Sequence, residues 1–132
     1  MAIADGHGLP IGITVHSASP HEVKLAEDAV SAIPVKGKLQ RIVGDRAYSS
    51  KPLSDRLSSK FGIDLISPPK SNFKNPWHDG RKLRRYRKRW KVERLFAWLN
   101  NFWRLPVRRE RYIENYFGFL LLACVRILLR SL

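Results

Sequence analysis

The sequence is poor in acids. It holds 11 Asp and Glu against 25 Lys and Arg, a formal net charge of +14, with a pI near 10.6. A surface that lopsided repels itself unless it meets a polyanion. Nucleic acid is the default partner, with an anionic membrane surface as the competing sink. Cysteine is scarcer still: Cys124 is the one thiol. That excludes an internal disulfide and suits a reducing cytosol. Its place in an apolar run marks it as a packed thiol. Long apolar stretches are also missing. The only long one, Phe117 to Leu129, is interrupted by Arg126 and is too short to span a bilayer. It reads as a buried helix, and no membrane partner is expected. Met1 to Pro10 has no basic region followed by an apolar one, so no signal peptide is expected. No repeat period or low-complexity segment is visible. His7, His16, His21 and His78 stand in no metal-ligand spacing with cysteine, which disfavours a zinc site. No serine sits in a nucleophile elbow.

What remains is a folded basic domain. A chain of 132 residues, 44% hydrophobic and with four Trp, can bury a real core. Its centre is the stretch Arg81 to Asn101, with nine Lys and Arg among residues 81–94 and one acid, Glu93. Val92, Leu95, Phe96, Leu99 and Trp103 fall at helical spacing and predict an amphipathic helix over about 81–102 with one buried side. At about 100° per residue, Tyr86, Arg89, Glu93 and Asn100 share an arc beside that stripe. Glu93 is then a carboxylate held among cations, suited to a metal beside a phosphate backbone. It is equally an i−4 partner for Arg89.

In chain order, Ala2-Ile3-Ala4 and Leu9 to Val15 flank an Asp5-Gly6 turn and read as a hairpin. Ser19, Pro20 and Glu22 open a helix by N-cap, first-turn proline and capping box, and it ends before Pro34 and Gly37. Leu39 to Val43 is an apolar strand of the kind covered on both faces. A helix capped by Ser49 or Ser50 runs to Phe61 and stops at Gly62. Ile63 to Ile66 is a strand closed by Pro68-Pro69, and Lys70 to Gly80 is a polar loop. The basic helix follows, and a last helix runs from about Ile113 to Arg130. The order β-β-α-β-α-β-α-α implies an α/β fold, a mixed sheet with helices on its faces.

Ligand sites in such sheets favour the carboxyl ends of strands. Asp45 lies at one, after Gly44, which permits close approach of a ligand or another backbone. A turn or helix-entry role is the alternative. Two carboxylates from a strand end and a helix suit divalent metals that clamp the attacking and leaving oxygens of a phosphoryl transfer. Mg²⁺ needs few protein carboxylates, because substrate phosphate supplies the other oxygens. Among the aromatics, Trp98 and Trp103 read as core, and Trp77 and Trp90 as better candidates for stacking on bases.

Gly44-Asp45-Arg46-Ala47-Tyr48-Ser49-Ser50 with its short helix comes first, then Pro68-Pro69-Lys70-Ser71-Asn72, then Tyr86-x2-Arg89-x3-Glu93. This series resembles the catalytic core of bacterial insertion-sequence DDE transposases. The similarity covers most of the chain, from Asp5-Gly6-His7-Gly8-Leu9-Pro10 to the last helix. It implies an RNase H-like fold and DNA cleavage and strand transfer with two Mg²⁺ (or Mn²⁺) ions. Asp45 matches the family's second acid and Glu93 its third, both as catalytic metal ligands. Arg89 would orient Glu93 or contact phosphate, and Tyr86 would shape the site. The candidate DNA contacts are Lys70, Lys74, Tyr86, Arg89, Lys91, Arg94 and Arg104.

Two positions depart from the family pattern. Asn100 stands where the signature has Lys, so one expected phosphate contact is missing or moved to Arg94 or Arg104. The family's first Asp sits on a strand before the hairpin, and no such strand precedes Met1. Asp5 is no substitute, because it opens the turn. The resemblance therefore implies one N-terminally incomplete catalytic domain over 1–132, RNase H-like but lacking its first strand. Its sheet part is about 1–69, its Glu-bearing helix about 81–102 and its C-terminal apolar helix about 112–131. The implied partners are DNA (transposon ends and target), an upstream-frame polypeptide supplying the first strand and Asp, and further copies of the chain, in the bacterial cytoplasm at the nucleoid. The alternative is a non-catalytic basic nucleic-acid-binding remnant, which needs neither Asp45 nor Glu93.

Overall fold

Asp5 makes the first turn. Its Oδ1 accepts the backbone N–H of His7 at 2.7 Å and of Leu9 at 2.9 Å, a side-chain mimic of a turn. The flanking runs pair antiparallel as β1 (Ala2–Ala4) and β2 (Pro10–Ile13). This computed structural model describes residues 1–17, 22–34, 39–70 and 80–132. Four helices and two further strands follow: α1 Glu22–Ser31, β3 Arg41–Val43, α2 Lys51–Phe61, β4 Asp64–Ile66, α3 Trp90–Asn100 and α4 Ile113–Leu129. The expected α1 cap residues Ser19 and Pro20, along with His21, Gly37 and the 71–79 part of the loop with Lys74, Trp77 and His78, lie outside the described residues.

The element order is the expected one, and the architecture is mixed α/β. Four details differ from expectation. The strands form two separate pairs rather than one sheet: β1 with β2, antiparallel, and β3 with β4, parallel, among the described residues. β3 is not covered on both faces, since Arg41 is exposed and Ile42 and Val43 are half-buried. The basic helix is not one α-helix. Gly80–Arg89 is a 3-10 segment and only Trp90–Asn100 is α-helical. A 3-10 segment rises about 2.0 Å per residue against 1.5 Å in an α-helix, so it spreads like charges further apart. Finally, α4 is not buried all round. Leu120, Ala123, Cys124 and Ile127 are buried, while Leu122, Val125 and Leu129 are 66%, 50% and 63% exposed.

Two clusters hold the fold. One gathers α3 and α4 through Leu95, Leu99, Leu105, Leu120, Ala123, Cys124 and Ile127. The other gathers α1, α2 and β4 through Ala26, Val30, Leu53, Leu57, Ile63 and Leu65. β1 is the partition between them. Ala2 and Ala4 pack on the first cluster, and Ile3 packs on the second. Successive side chains of a strand point to opposite faces, so three residues serve both sides. α3 rests on β1, and α4 on β2 and α3. No helix among the described residues is long and apolar enough to cross a membrane.

Candidate functional site

The β3–β4 ladder delivers Asp45. Gly44 extends it, donating its N–H to the Ile66 carbonyl at 2.9 Å, and the chain then turns. Asp45 caps the short 3-10 turn Arg46–Tyr48, its Oδ1 accepting the Ala47 N–H at 2.8 Å. The residue is exposed, so its Oδ2 remains available to solvent or a ligand. Gly44 does not leave open space beside it: a Cβ there would lie 3.1 Å from the Tyr48 side chain. The close approach that this glycine permits is made by the protein's own tyrosine.

Glu93 lies in the first turn of α3, where the helix dipole favours an anion. Its carboxylate is 58% exposed and its Oε1 is 3.3 Å from Arg89 Nη2. The Arg89 guanidinium stands over the Tyr86 ring at 5.4 Å. Tyr86, Arg89 and Glu93 are therefore in contact as a chain of neighbours. Because residues 80–89 are 3-10, Asn100 does not share their arc by the 100° rule. Glu93 is held by one exposed ion pair rather than at the margin of the core. Such a pair contributes about 0–1 kcal/mol.

The other cations divide. Lys91 Nζ donates to the Gly6 carbonyl and Arg94 Nη2 to the His7 carbonyl, so both reach back to the Asp5 turn. Arg94 also lies over the rings of Trp90 and Trp98, 4.8 Å from each centroid. Gly8 makes the contact possible. It is buried at φ +86, and a Cβ there would come 2.8 Å from Arg94 Nη2 and 3.2 Å from the Lys91 carbonyl oxygen. Asp5 holds the turn as a carboxylate. Burial works to raise its pKa, but the N–H donors of Leu9 and His7 and the nearby His7 ring outweigh it and keep it below the usual value. Arg104 Nη1 pairs with Glu110 Oε1 at 3.1 Å and lies over the Phe119 ring. Lys70 is exposed at the mouth of the loop, and Lys74 is outside the described residues. Trp90 is 48% exposed, as a contact residue requires, but Trp103, expected in the core, is 78% exposed. The helical stripe misplaced it because α3 ends at Asn100, and beyond that the 3.6-residue period no longer applies.

Arg84, Arg85, Arg87 and Lys88 are further cations of the basic stretch. All four are exposed, while Leu83 and Tyr86 are half-buried. Leu83 and Tyr86 are three apart, the spacing at which side chains of a 3-10 segment eclipse, and Arg89 three further on is exposed. Among the described residues no three His, Cys, Asp or Glu come together as a metal cluster.

A family model described as a transposase DDE domain matches residues 1–128. The chain belongs to the transposase DDE family. It is also similar to a protein of Burkholderia cepacia named "Putative transposase for insertion sequence element IS402". The two are 32% identical over 130 residues, which covers 92% of this chain and 58% of that protein. The chain thus spans a little over half the length of this curated relative. No solved structure matches it.

Proposed function

We propose that this chain is the downstream part of an RNase H-like catalytic domain that cuts and joins DNA during transposition of an insertion sequence. The observation that carries the reading is the pairing of family membership with the position of Asp45, at the carboxyl end of β3 on an exposed turn. Asp45 and Glu93 are the acids that would hold divalent metal. Both are exposed carboxylates, and hard oxygen donors are the ligands Mg²⁺ and Mn²⁺ prefer. They fit the ion in chemistry. Two carboxylates alone leave the donor set short, and on this reading a further acid of the family's catalytic set would complete it. Among the described residues β1 and β3 each pair along one edge, which leaves the other open to a further strand.

Once bound, the ions would stabilise charge on the attacking and leaving oxygens. The protein's own part is to hold and orient. Arg89 fixes the Glu93 carboxylate through its ion pair and Tyr86 backs the guanidinium. Lys70, beside the carboxyl end of β4, meets the phosphate backbone. The substrates on this reading are transposon ends and target DNA, and the working form contains more than one copy.

The test is Glu93→Gln in a protein that includes the upstream part. Mg²⁺- or Mn²⁺-dependent nicking should be abolished while DNA binding persists. Unchanged nicking would sink the assignment of Glu93. DNA binding without metal-dependent cleavage by the unmutated protein would leave a binding remnant.

A further inference from the structure

Resting on the reading of this chain as a DNA-binding protein, we infer that its phosphate-contacting surface is the outer ridge of the 3-10 segment. Arg84, Arg85, Arg87 and Lys88 form it, and Lys91 and Arg94 do not belong to it. The argument is one of periodicity and occupancy. An α-helix would fan these cations around its circumference at about 100° steps. A 3-10 segment turns through about 120° per residue, so positions i and i+3 eclipse. Leu83, Tyr86 and Arg89 then make one column, Arg84 and Arg87 a second, and Arg85 and Lys88 a third. Leu83 and Tyr86 of the first column face the protein, as their half-burial shows, while Arg89 at its end is exposed and pairs with Glu93, and the segment packs on β3 and β4. The other two columns face solvent.

Four exposed cations therefore stand in two adjacent rows, with successive members of a row about 6 Å apart. None of the four makes an ion pair among the described residues. The run extends to ten residues, where 3-10 segments usually stop after three or four. A ridge of one sign whose cations make no ion pair among the described residues is complementary to a regular row of phosphates. Lys91 and Arg94 follow directly in sequence and carry the same charge, but each gives a donor to the hairpin turn, Lys91 Nζ to the Gly6 carbonyl and Arg94 Nη2 to the His7 carbonyl, and both are half-buried. Lys91 and Arg94 tie α3 to the hairpin turn. Contact with phosphates specifies no sequence, so the ridge grips any duplex alike.

The measurement is the salt dependence of affinity of the whole chain for a labelled DNA duplex, by fluorescence anisotropy. Each phosphate contact contributes about 0.9 to the slope of log K against log salt. Arg84→Gln with Arg87→Gln, and Arg85→Gln with Lys88→Gln, should each lower that slope by about 1.8 and leave the melting temperature unchanged. Lys91→Gln with Arg94→Gln should lower the melting temperature and leave the slope at the wild-type value. Gly8→Ala loosens the same contact without removing charge and should also leave the slope unchanged. The inference is overturned if both ridge pairs keep the wild-type slope, or if the Lys91/Arg94 pair lowers it as much as they do. If the unmutated chain shows no salt-dependent binding at any ionic strength, the DNA-binding reading falls with it. Binding that ignores the ridge removes this inference alone.

Discussion

Replacing Gly8 by alanine should cost clearly more than replacing Gly62 by alanine, although both glycines have positive φ, +86 and +66. The left-handed region costs an L-residue about 1–2 kcal/mol. At Gly62, the end of α2, an added Cβ meets nothing within 4 Å, so that strain is the whole effect. At Gly8 the Cβ would lie 2.8 Å from Arg94 Nη2 and 3.2 Å from the Lys91 carbonyl oxygen. The guanidinium can swing aside, but only by giving up its bond to the His7 carbonyl. The Lys91 carbonyl is helix backbone and moves only with α3. Water competes for an exposed charge-assisted bond, so its loss adds about 1 kcal/mol, and the shift of α3 adds more. The expected totals are about 1–2 kcal/mol for Gly62→Ala and about 2–4 kcal/mol for Gly8→Ala. For a chain of this length that separates the melting temperatures by several degrees. Urea titration followed by circular dichroism measures both. In an Arg94→Ala background most of the excess at Gly8 should vanish, as a coupled pair requires. Equal costs at the two glycines in the unmutated background would refute the claim that the hairpin turn braces α3.

Two other outcomes follow from charge and burial. Backbone N–H donors and His7 hold Asp5 below its usual pKa against the effect of burial, and Arg56, then Lys60, do the same for Glu27. A carboxylate lowered in the folded state stabilises it above the unfolded pKa of about 4 and stops doing so as pH falls through the folded value. Thermal melting should therefore be insensitive to these groups between about pH 5 and 7 and drop below about pH 4. Asp5→Asn combined with Glu27→Gln should flatten that drop, and an unchanged acid limb would show that other groups cause it. Cys124 is 6% exposed and burial pushes its thiol up, so iodoacetamide at pH 8 should label the folded chain many-fold more slowly than the unfolded chain by mass spectrometry. Labelling at equal rates would mean that the core around α4 is open.

Much of the fold was legible because its determinants are local. Asp5-Gly6 marks a turn whatever surrounds it, and Asp5 Oδ1 makes the two bonds such a turn needs. Gly62 ends α2 in the left-handed conformation its position demands. Asp45 could be placed at a strand end from the apolar run before it. The sheet was less legible. Strands of three or four residues carry too few side chains to say which edge pairs with which. The outer face of α4 was misread for a related reason. Leucines at 121, 122, 128 and 129 look alike whether or not something covers them, and composition cannot report a neighbour.

The division among the cations was hidden more deeply. Nine like charges in fourteen residues look uniform, and a period of 3.6 assigns them to an arc around Glu93. Two facts outside the stretch override that. The 3-10 winding of residues 80–89 changes the period to three. The hairpin turn, 85 and 87 positions earlier in the chain, offers carbonyl acceptors to Lys91 and Arg94. A lysine or arginine has no acceptor of its own, so what it does is set by whichever acceptor reaches it first. For Lys91 and Arg94 that acceptor is already part of the fold. For Arg84, Arg85, Arg87 and Lys88 none of the described residues supplies one, and the charge they leave unbalanced is a contiguous share of the +14 still available to a phosphate backbone.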